Sequence, residues 1–433
     1  MIKAEKLPFH YGWLIVFACG MGMFAIFPQV FTVPGNYVVS ITEDLGIVRT
    51  VYSFSVTLLT LSMAAAASLL SRILKRFSIR WVMILTAVVL GINLMSYSLL
   101  TSVAGLYIRA AISGACACLA GNMIMTILLQ RWFVKNVNFA MSLAFTCTGL
   151  GGMVFSQVLS RVLLSYGWRS CYFVSGVTVM LLVVPVYFFL IRDNPGDVGL
   201  QPFGAGSLTD TTAEKPADAG TTLQDAKRHG YFYLFIPALM MVSMAAGCTQ
   251  GHFPPSLADA GYAVLTIATI QSIYSVLNSL TKLSVGIIFD KIGPKIGLFI
   301  VIMGYVVGYM SLAFAGLNPA LGYLAGIGFG IGIAWSTLGV PFVVASIFGR
   351  KDYAAVYGFC SMMTQVASAI ASTGAGIVYD VVGNYFPVWM VFSAGSLVSF
   401  AIFIFGLNKN FFMKPTVEAD GEQVMLFEIE AEV

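Results

Sequence analysis

The sequence predicts an all-α membrane protein, with twelve transmembrane helices in two six-helix repeats. Three observations carry that prediction: the composition, the spacing of the apolar runs and the placement of the basic residues. Of 433 residues, 58% are hydrophobic and only 10% charged, and the mean hydropathy is +0.88. Soluble globular chains carry charge on about a quarter of their residues, so this chain lacks the charge to cover a water-facing surface. A soluble enzyme and a nucleic-acid-binding protein are thereby excluded, and membrane lipid becomes the expected solvent. The 13% aromatic content and 43 glycines suit interfacial ring belts and close helix packing.

A bilayer core of about 30 Å needs about 20 apolar residues to cross it as a helix. Such runs cover residues 11–36, 50–71, 81–100, 104–129, 139–160, 171–191, 231–251, 263–289, 296–317, 319–347, 354–378 and 386–407. They are too long for barrel strands and do not alternate, which leaves helices as the spanning structure. Pro28, Pro34, Pro185, Pro237 and Pro341 fall inside runs, where neighbouring helices can satisfy the freed carbonyls. The first run follows Lys3 and Lys6 in the manner of a signal peptide. It is longer than such a segment and lacks a convincing small-residue cleavage site, so its retention is expected.

The basic residues test the count. With the N-terminus in the cytoplasm, 18 of the 23 Lys and Arg residues fall on the cytoplasmic side. Arg49, Arg161 and Arg169 fall outside, and Arg109 and Lys282 lie within spans. That asymmetry follows the positive-inside rule and predicts a multi-pass protein of the cell membrane with both termini cytoplasmic.

Residues 193–229, rich in Asp, Thr, Ala, Gly and Pro, read as a flexible linker. The expected organisation is an N-terminal six-helix bundle at 1–192, the cytoplasmic linker at 193–229, a C-terminal bundle at 230–408 and an acidic cytoplasmic tail at 409–433. The bundles repeat. An offset of 215 residues carries the segment 71–80 onto 286–295, Phe133 onto Phe348, Lys135 onto Arg350 and Ala140 onto Ala355. Parallel repeats place a binding site at their interface, near the bilayer midplane.

Gly286-x-x-x-Asp290-Lys291-x-Gly293-x-Lys295 resembles the loop signature of the major facilitator superfamily, and the likeness of architecture covers nearly the whole chain. The resemblance implies a cytoplasmic gate at Asp290 and Lys291. In the first-half copy Lys75 stands where Asp is expected, which leaves simple positive-inside charge as the reading there. His10-Tyr11-Gly12-Trp13, Arg131-Trp132-Phe133 with Ala140-Met141, and the segment Arg192-Asp193-Asn194-Pro195-Gly196-Asp197 through Pro202 narrow the likeness. Together they resemble the bacterial monocarboxylate-transporter and oxalate–formate-antiporter branch.

Ionisable residues inside a membrane cost about 2.5–3.5 kcal/mol on insertion scales and mark functional sites. All 19 acidic residues can be placed outside the spans or at their ends, so the internal charges are the cations Arg109 and Lys282. A cation with no carboxylate partner favours an anionic substrate. Lys282 lies about 12 Å before Asp290 on the eighth helix at 1.5 Å per residue. The resemblance implies a substrate-binding cation there, usually Arg; Lys keeps the charge and loses the bidentate fork. The competing reading is that Lys282 snorkels to the interface.

Asn278 lies one turn earlier, where the resemblance implies a proton-coupling aspartate; Asn cannot titrate, which favours exchange or facilitated transport over proton symport by that route. Thr364 stands where oxalate exchangers are expected to carry a second lysine, which favours a monoanion. Arg109 resembles a fourth-helix arginine of the superfamily used in coupling or gating, with snorkelling as the equal alternative. Tyr274, two turns before Lys282, and Trp335, on the tenth helix, are further substrate-binding candidates. Gln365 joins them among polar residues able to line a cavity, with Asn36, Asn122, Gln250, Gln271 and Ser361; helix-to-helix bonding is the plainer role for each. His252 reads as an interfacial histidine at the outer end of the seventh span.

The seven cysteines lie in or beside spans without a ligand spacing, and read as packing residues. No Walker motif, metal cluster or nucleophile triad is present in the sequence, so no enzyme activity, cofactor or metal is expected. The functional expectation is a monomeric secondary active transporter of small organic anions, monocarboxylates foremost, working by alternating access as exchanger or symporter. The alternatives are a proton-driven exporter of drugs or metabolites, and a non-transporting solute sensor with a transporter fold.

Overall fold

The computed structural model describes residues 10–204, 220–291, 293–349, 351–409 and 411–412. The side chains of Ser71, Asn122, Asn138, residues 285–291, Thr337, Leu338 and Ala354 stand outside that description. Twelve helical spans run through it. In the first half they are α1 (Gly12–Leu45), α2 (Arg49–Leu74), α3 (Ile79–Ser96), α4 (Val103–Trp132), α5 (137–166) and α6 (168–190). In the second half they are α7 (Gly230–Asp259), α8 (Val264–Lys291), α9 (Pro294–Ala313), α10 (319–348), α11 (Tyr353–Val382) and α12 (Phe386–Lys409). Ten unbroken stretches are long and apolar enough to cross a bilayer. The count rises to twelve because α5 and α6 form one 52-residue stretch folded at Gly167, and because α10 is interrupted.

Two boundaries differ from the sequence expectation, for a physical reason in each case. The outer loop expected between residues 160 and 171 shrinks to Gly167, whose φ of 76° is open to a residue without a Cβ. The first span runs on to Leu45, since a π-helical turn at Pro28–Thr32 and a 3-10 turn at Val33–Tyr37 absorb both prolines without ending the helix. A proline cannot donate to the ladder and its ring crowds the preceding turn, and a local change of helical pitch relieves both faults. The same device precedes Pro185, after a π turn at Val179–Val183, and Pro341, after one at Trp335–Gly339.

Helix starts are set by side-chain acceptors that occupy otherwise free N–H groups. Ser102 accepts from Gly105 at the head of α4, and Asn318 from Ala320 at the head of α10. The Asp193 carboxylate reaches from beyond α6 to accept from the Ile79 and Arg80 amides at 3.0 and 2.9 Å, pinning α3 to the end of its own bundle.

Apolar side chains gather into two cores. One extends from Tyr11 to Ile191 and the other from Ala226 to Phe412. The first and last described residues, His10 and Phe412, and the described parts of the connection, 193–204 and 220–229, lie at one face of the bundle, here the terminal face; the opposite one is the far face. Each half closes its terminal face in the same way. Tyr11 Oη donates to Leu190 O and Tyr231 Oη to Ile402 O, both at 2.9 Å. Trp132 O accepts from Phe203 N at 2.8 Å, and Phe348 O from Thr221 N at 3.0 Å. The three stretches that narrow the family likeness meet in the first of these caps. His10 Nε2 donates to Gln201 O at 3.0 Å, Trp132 Nε1 donates to Arg192 O at 3.1 Å, and Trp13 packs edge-on against Phe133.

Candidate functional site: a chamber and a seam between the halves

The halves meet along two helix pairs, α5 with α8 and α2 with α11. Glycines permit the first contact. A Cβ on Gly149 would run into the Ser275 carbonyl and the Ser279 hydroxyl, so α5 and α8 approach this closely only with glycine there. Along this seam Ser156 Oγ donates to Gln271 Oε1 at 3.1 Å and Gln157 Nε2 to Ser272 Oγ at 3.2 Å. Ser279 Oγ donates to Thr146 O at 2.7 Å, and Lys282 Nζ to Thr148 Oγ1 at 3.4 Å. Gln271 Nε2 also reaches Thr32 O on α1 at 3.1 Å. On the other seam Thr57 bonds Ala369 O and Thr373 at 2.7 and 2.8 Å.

Among the described residues, hydrogen bonds between the halves run from the far face to this depth and no further. Thr146 lies nine residues into α5, about 14 Å from its terminal-face end. Lys282 therefore marks the last rung of the seam. It is partly buried, and no ion pair joins it to a described residue.

At the far face the α2–α11 seam ends in a charged cluster. Arg49, at the head of α2, holds both Asp259 carboxylate oxygens at 2.6 Å, at the end of α7. Its guanidinium lies 3.8 Å from the Tyr379 ring centroid and donates to Tyr385 Oη at 3.3 Å. Asp380 of α11 accepts from the backbone N–H groups of Arg49 and Thr50 at 3.2 and 2.8 Å, and from the Thr50 hydroxyl. His252 completes the cluster. Its Nε2 donates to Ser372 O at 2.9 Å, since a carbonyl can only accept, and the neutral ring's Nδ1 then accepts from Tyr385 Oη at 3.0 Å. The interfacial position read for His252 from sequence is thus corrected: the ring is 3% exposed. The cause is the length of α7, which continues to Asp259 and carries His252 into the seam.

Between the halves lies a chamber of about 260 Å³. Its wall includes Gln29 and Pro34 of α1, Tyr52, Ser55 and Leu59 of α2, Tyr97, Ser113 of α4 and Tyr172 of α6. From the second half come Gln250 of α7, Ser336 of α10, and Gln365, Ser368 and Ser372 of α11. Tyr97 and Tyr172 stack with ring centroids 4.4 Å apart. No charged side chain lines the chamber among the described residues. It can offer amide and hydroxyl hydrogen bonds and ring faces.

The structure distributes the sequence candidates over several places. Gln365 lines the chamber. Tyr274 borders a smaller cleft with Thr32, Gln250 and Gln271, adjoining the chamber through Gln250. Asn278 is buried on α8 with its Oδ1 unpartnered. Lys282 lies one turn on, at the last rung. Trp335 is fully buried in the second half's own core, donating from Nε1 to Ser243 Oγ at 3.2 Å and stacking on Phe403. The Thr364 hydroxyl donates to Ser361 O at 2.8 Å, within its own helix. Arg109 Nε donates to Ser96 Oγ at 2.9 Å, back along α4 towards the far face and away from the chamber wall. The side chains of Asn122, Asp290 and Lys291 lie outside the described residues. Gln29, Ser372 and the Arg49 cluster were not singled out from sequence. The one available signal was that Arg49 is among the few basic residues expected opposite the termini.

Two six-helix bundles, with a polar chamber and a seam between them, define the class as a multi-pass membrane transporter. Residues 12–372 match the model of the Major Facilitator Superfamily, and the chain belongs to that family. Bovine monocarboxylate transporter 13 is 23% identical over 421 residues, covering 93% of this chain and 91% of that one. The uncharacterised MFS-type transporter YhjX of Escherichia coli K12 is 22% identical over 324 residues, covering 71% of this chain and 73% of its own. Among solved structures, the nucleoside transporter NupG superposes with a TM-score of 0.70 at 16% identity, covering 92% of this chain and 99% of that one. A bacterial homologue of the human lysosomal transporter Spinster, in an inward-facing and occupied conformation, superposes at 0.61 with 12% identity, covering 92% and 95%.

Proposed function

We propose that this transporter carries small organic anions, monocarboxylates foremost, across the cell membrane by alternating access, as an exchanger or symporter, with both termini in the cytoplasm. The observation that carries the reading is Lys282, an intramembrane cation at the last rung of the seam with no ion pair to a described residue. A buried cation is stabilised by an anion that comes and goes, and such an unpaired charge near the midplane points to the transported species. The similarity to monocarboxylate transporter 13 over most of both chains supports the same class.

In this scheme the far face is extracellular and the Arg49 cluster is its gate. The bundles 1–192 and 230–408 rock about the seam, and Asp290 and Lys291 help close the cytoplasmic end. Asn278 and Tyr274 line the approach to Lys282, with Gln365 across the chamber. Because a bound anion neutralises Lys282, the loaded carrier reorients more readily than the empty one, and exchange is the expected mode. The transporter works as a monomer.

A second reading, a neutral polar solute, is favoured by the uncharged chamber wall. One experiment separates the two. Purified protein in liposomes, preloaded with monocarboxylate or empty, is given labelled monocarboxylates or a labelled nucleoside. Uptake of the acids that requires internal anion, falls to background in Lys282→Ala and returns in Lys282→Arg supports the anion reading. Nucleoside uptake unaffected by Lys282→Ala overturns it.

A further inference from the structure

Most hydroxyls on the chamber wall are already spent on the protein. Ser55 Oγ donates to Tyr52 O at 2.6 Å, Ser336 Oγ to Ile333 O at 2.8 Å and Ser368 Oγ to Ser243 O at 2.8 Å. Ser113 Oγ accepts from Asn93 Nδ2 at 2.9 Å. Among the described residues of the wall, two buried side chains keep polar atoms without a partner. They are Gln29, at both Nε2 and Oε1, and Ser372, at Oγ, and each residue is 2% exposed. Buried polar groups in folded proteins are overwhelmingly hydrogen-bonded, so two exceptions on one cavity call for a partner that arrives from outside.

Their placement is informative. Gln29 stands in the π-helical turn that follows Phe27, where the altered pitch of α1 turns this residue to the chamber wall. Ser372 lies on α11 in the opposite half, and its own carbonyl accepts from His252 of the far-face cluster. The two residues thus line one chamber from both halves, next to the gate.

We infer that Gln29 and Ser372 form an uncharged subsite that reads a hydroxyl or carbonyl group on the body of the substrate, apart from the carboxylate held at Lys282. This rests on the transport reading for the carboxylate end alone. The amide can donate to and accept from the same substrate hydroxyl, and the serine supplies the complementary donor or acceptor. With no charge on the wall, the part of the substrate lodged here is neutral. At about 30 Å³ per water, the 260 Å³ chamber has room for about nine water-sized groups. A two- or three-carbon acid leaves most of it empty. The favoured substrate is a larger monocarboxylate with a hydroxyl or carbonyl on its body. A site that leaves buried polar groups unpaired rejects the analogue lacking that group.

The test uses matched probes. Labelled 4-hydroxyphenylacetate and phenylacetate differ by one hydroxyl at the ring end remote from the carboxylate, and 4-hydroxyphenylacetamide and phenylacetamide repeat that difference without the charge. Liposome uptake of the acids and thermal stabilisation of the full-length protein in detergent by all four compounds are measured for wild type, Gln29→Leu and Ser372→Ala. The hydroxylated member of each pair is expected to be preferred at least tenfold by wild type, and the preference to fall at least fivefold in either variant. Unliganded melting temperatures establish that both variants fold. Loss of all acid uptake with the amide preference intact defeats the anion reading and leaves this subsite standing. Absence of preference in wild type for both pairs, or an unchanged preference in both variants, overturns it.

Discussion

The far-face cluster and the chamber share the interface between the halves and solve opposite problems. Within the far-face cluster the polar groups are answered: Arg49 by Asp259, the amides of Arg49 and Thr50 by Asp380, and His252 by Tyr385 and Ser372. Deeper in the interface, on the α5–α8 pair, Lys282 has one hydroxyl at 3.4 Å, and on the chamber wall Gln29 and the Ser372 hydroxyl have no partner. Groups satisfied within the protein hold a conformation, whereas groups left wanting at the chamber wall are available to a solute. The difference separates holding from binding within one interface. It also explains why both kinds of polar residue are tolerated in so apolar a chain.

The comparison breaks first at the cluster. Asp259→Asn leaves the Arg49 guanidinium, 10% exposed, without its carboxylate. Asp259 is itself 32% exposed, so losing its carboxylate costs about 2 kcal/mol, within the range for hydrogen bonds to a charged group. The far-face seam is expected to loosen, raising the reaction of a Ser53→Cys reporter with a membrane-impermeant maleimide at least fivefold; unchanged labelling would show that Asp259 does not hold the seam. Gly149→Val comes next. Its side chain collides with the Ser275 backbone, and overpacking of this kind costs about 2 kcal/mol. A lower melting temperature together with faster maleimide labelling of the same Ser53→Cys reporter is the expected pair of results.

Tyr385→Phe removes the hydroxyl shared by Arg49 and His252 and strands the ring Nδ1. The loss is about 1–2 kcal/mol, read as a smaller rise in far-face labelling than Asp259→Asn produces. Trp335→Phe gives the smallest effect. It deletes one bond to Ser243 while keeping the ring stacked on Phe403, at a cost of about 1 kcal/mol. Melting should fall slightly while the substrate KM holds; a KM raised tenfold would place Trp335 at the substrate after all.

Much of the architecture was legible in one dimension because lipid imposes a one-dimensional rule. A span must be apolar for about 20 residues and must satisfy its own backbone. Length and composition therefore reveal the helices, and the 215-residue offset reveals the repeat. Turns were less legible. Gly167 replaces a whole expected loop, because a glycine at φ 76° reverses the chain in one residue. The site was legible only where a charge made a residue conspicuous. Lys282 stands out by sign, whereas Gln29 and Ser372 resemble any polar residue of a membrane helix until their missing partners are seen.

Sequence by itself determined the class of this protein: its lipid solvent, its helical spans, its paired halves and its family. Tertiary structure alone decided which polar groups meet. His252 moved from an expected interface into the seam because α7 runs longer than its apolar run. Trp335 turned into its own bundle, and Arg109 back along α4. The physical reason is that hydropathy depends on each residue separately. Hydrogen-bond satisfaction depends on which helices face one another, and at what depth.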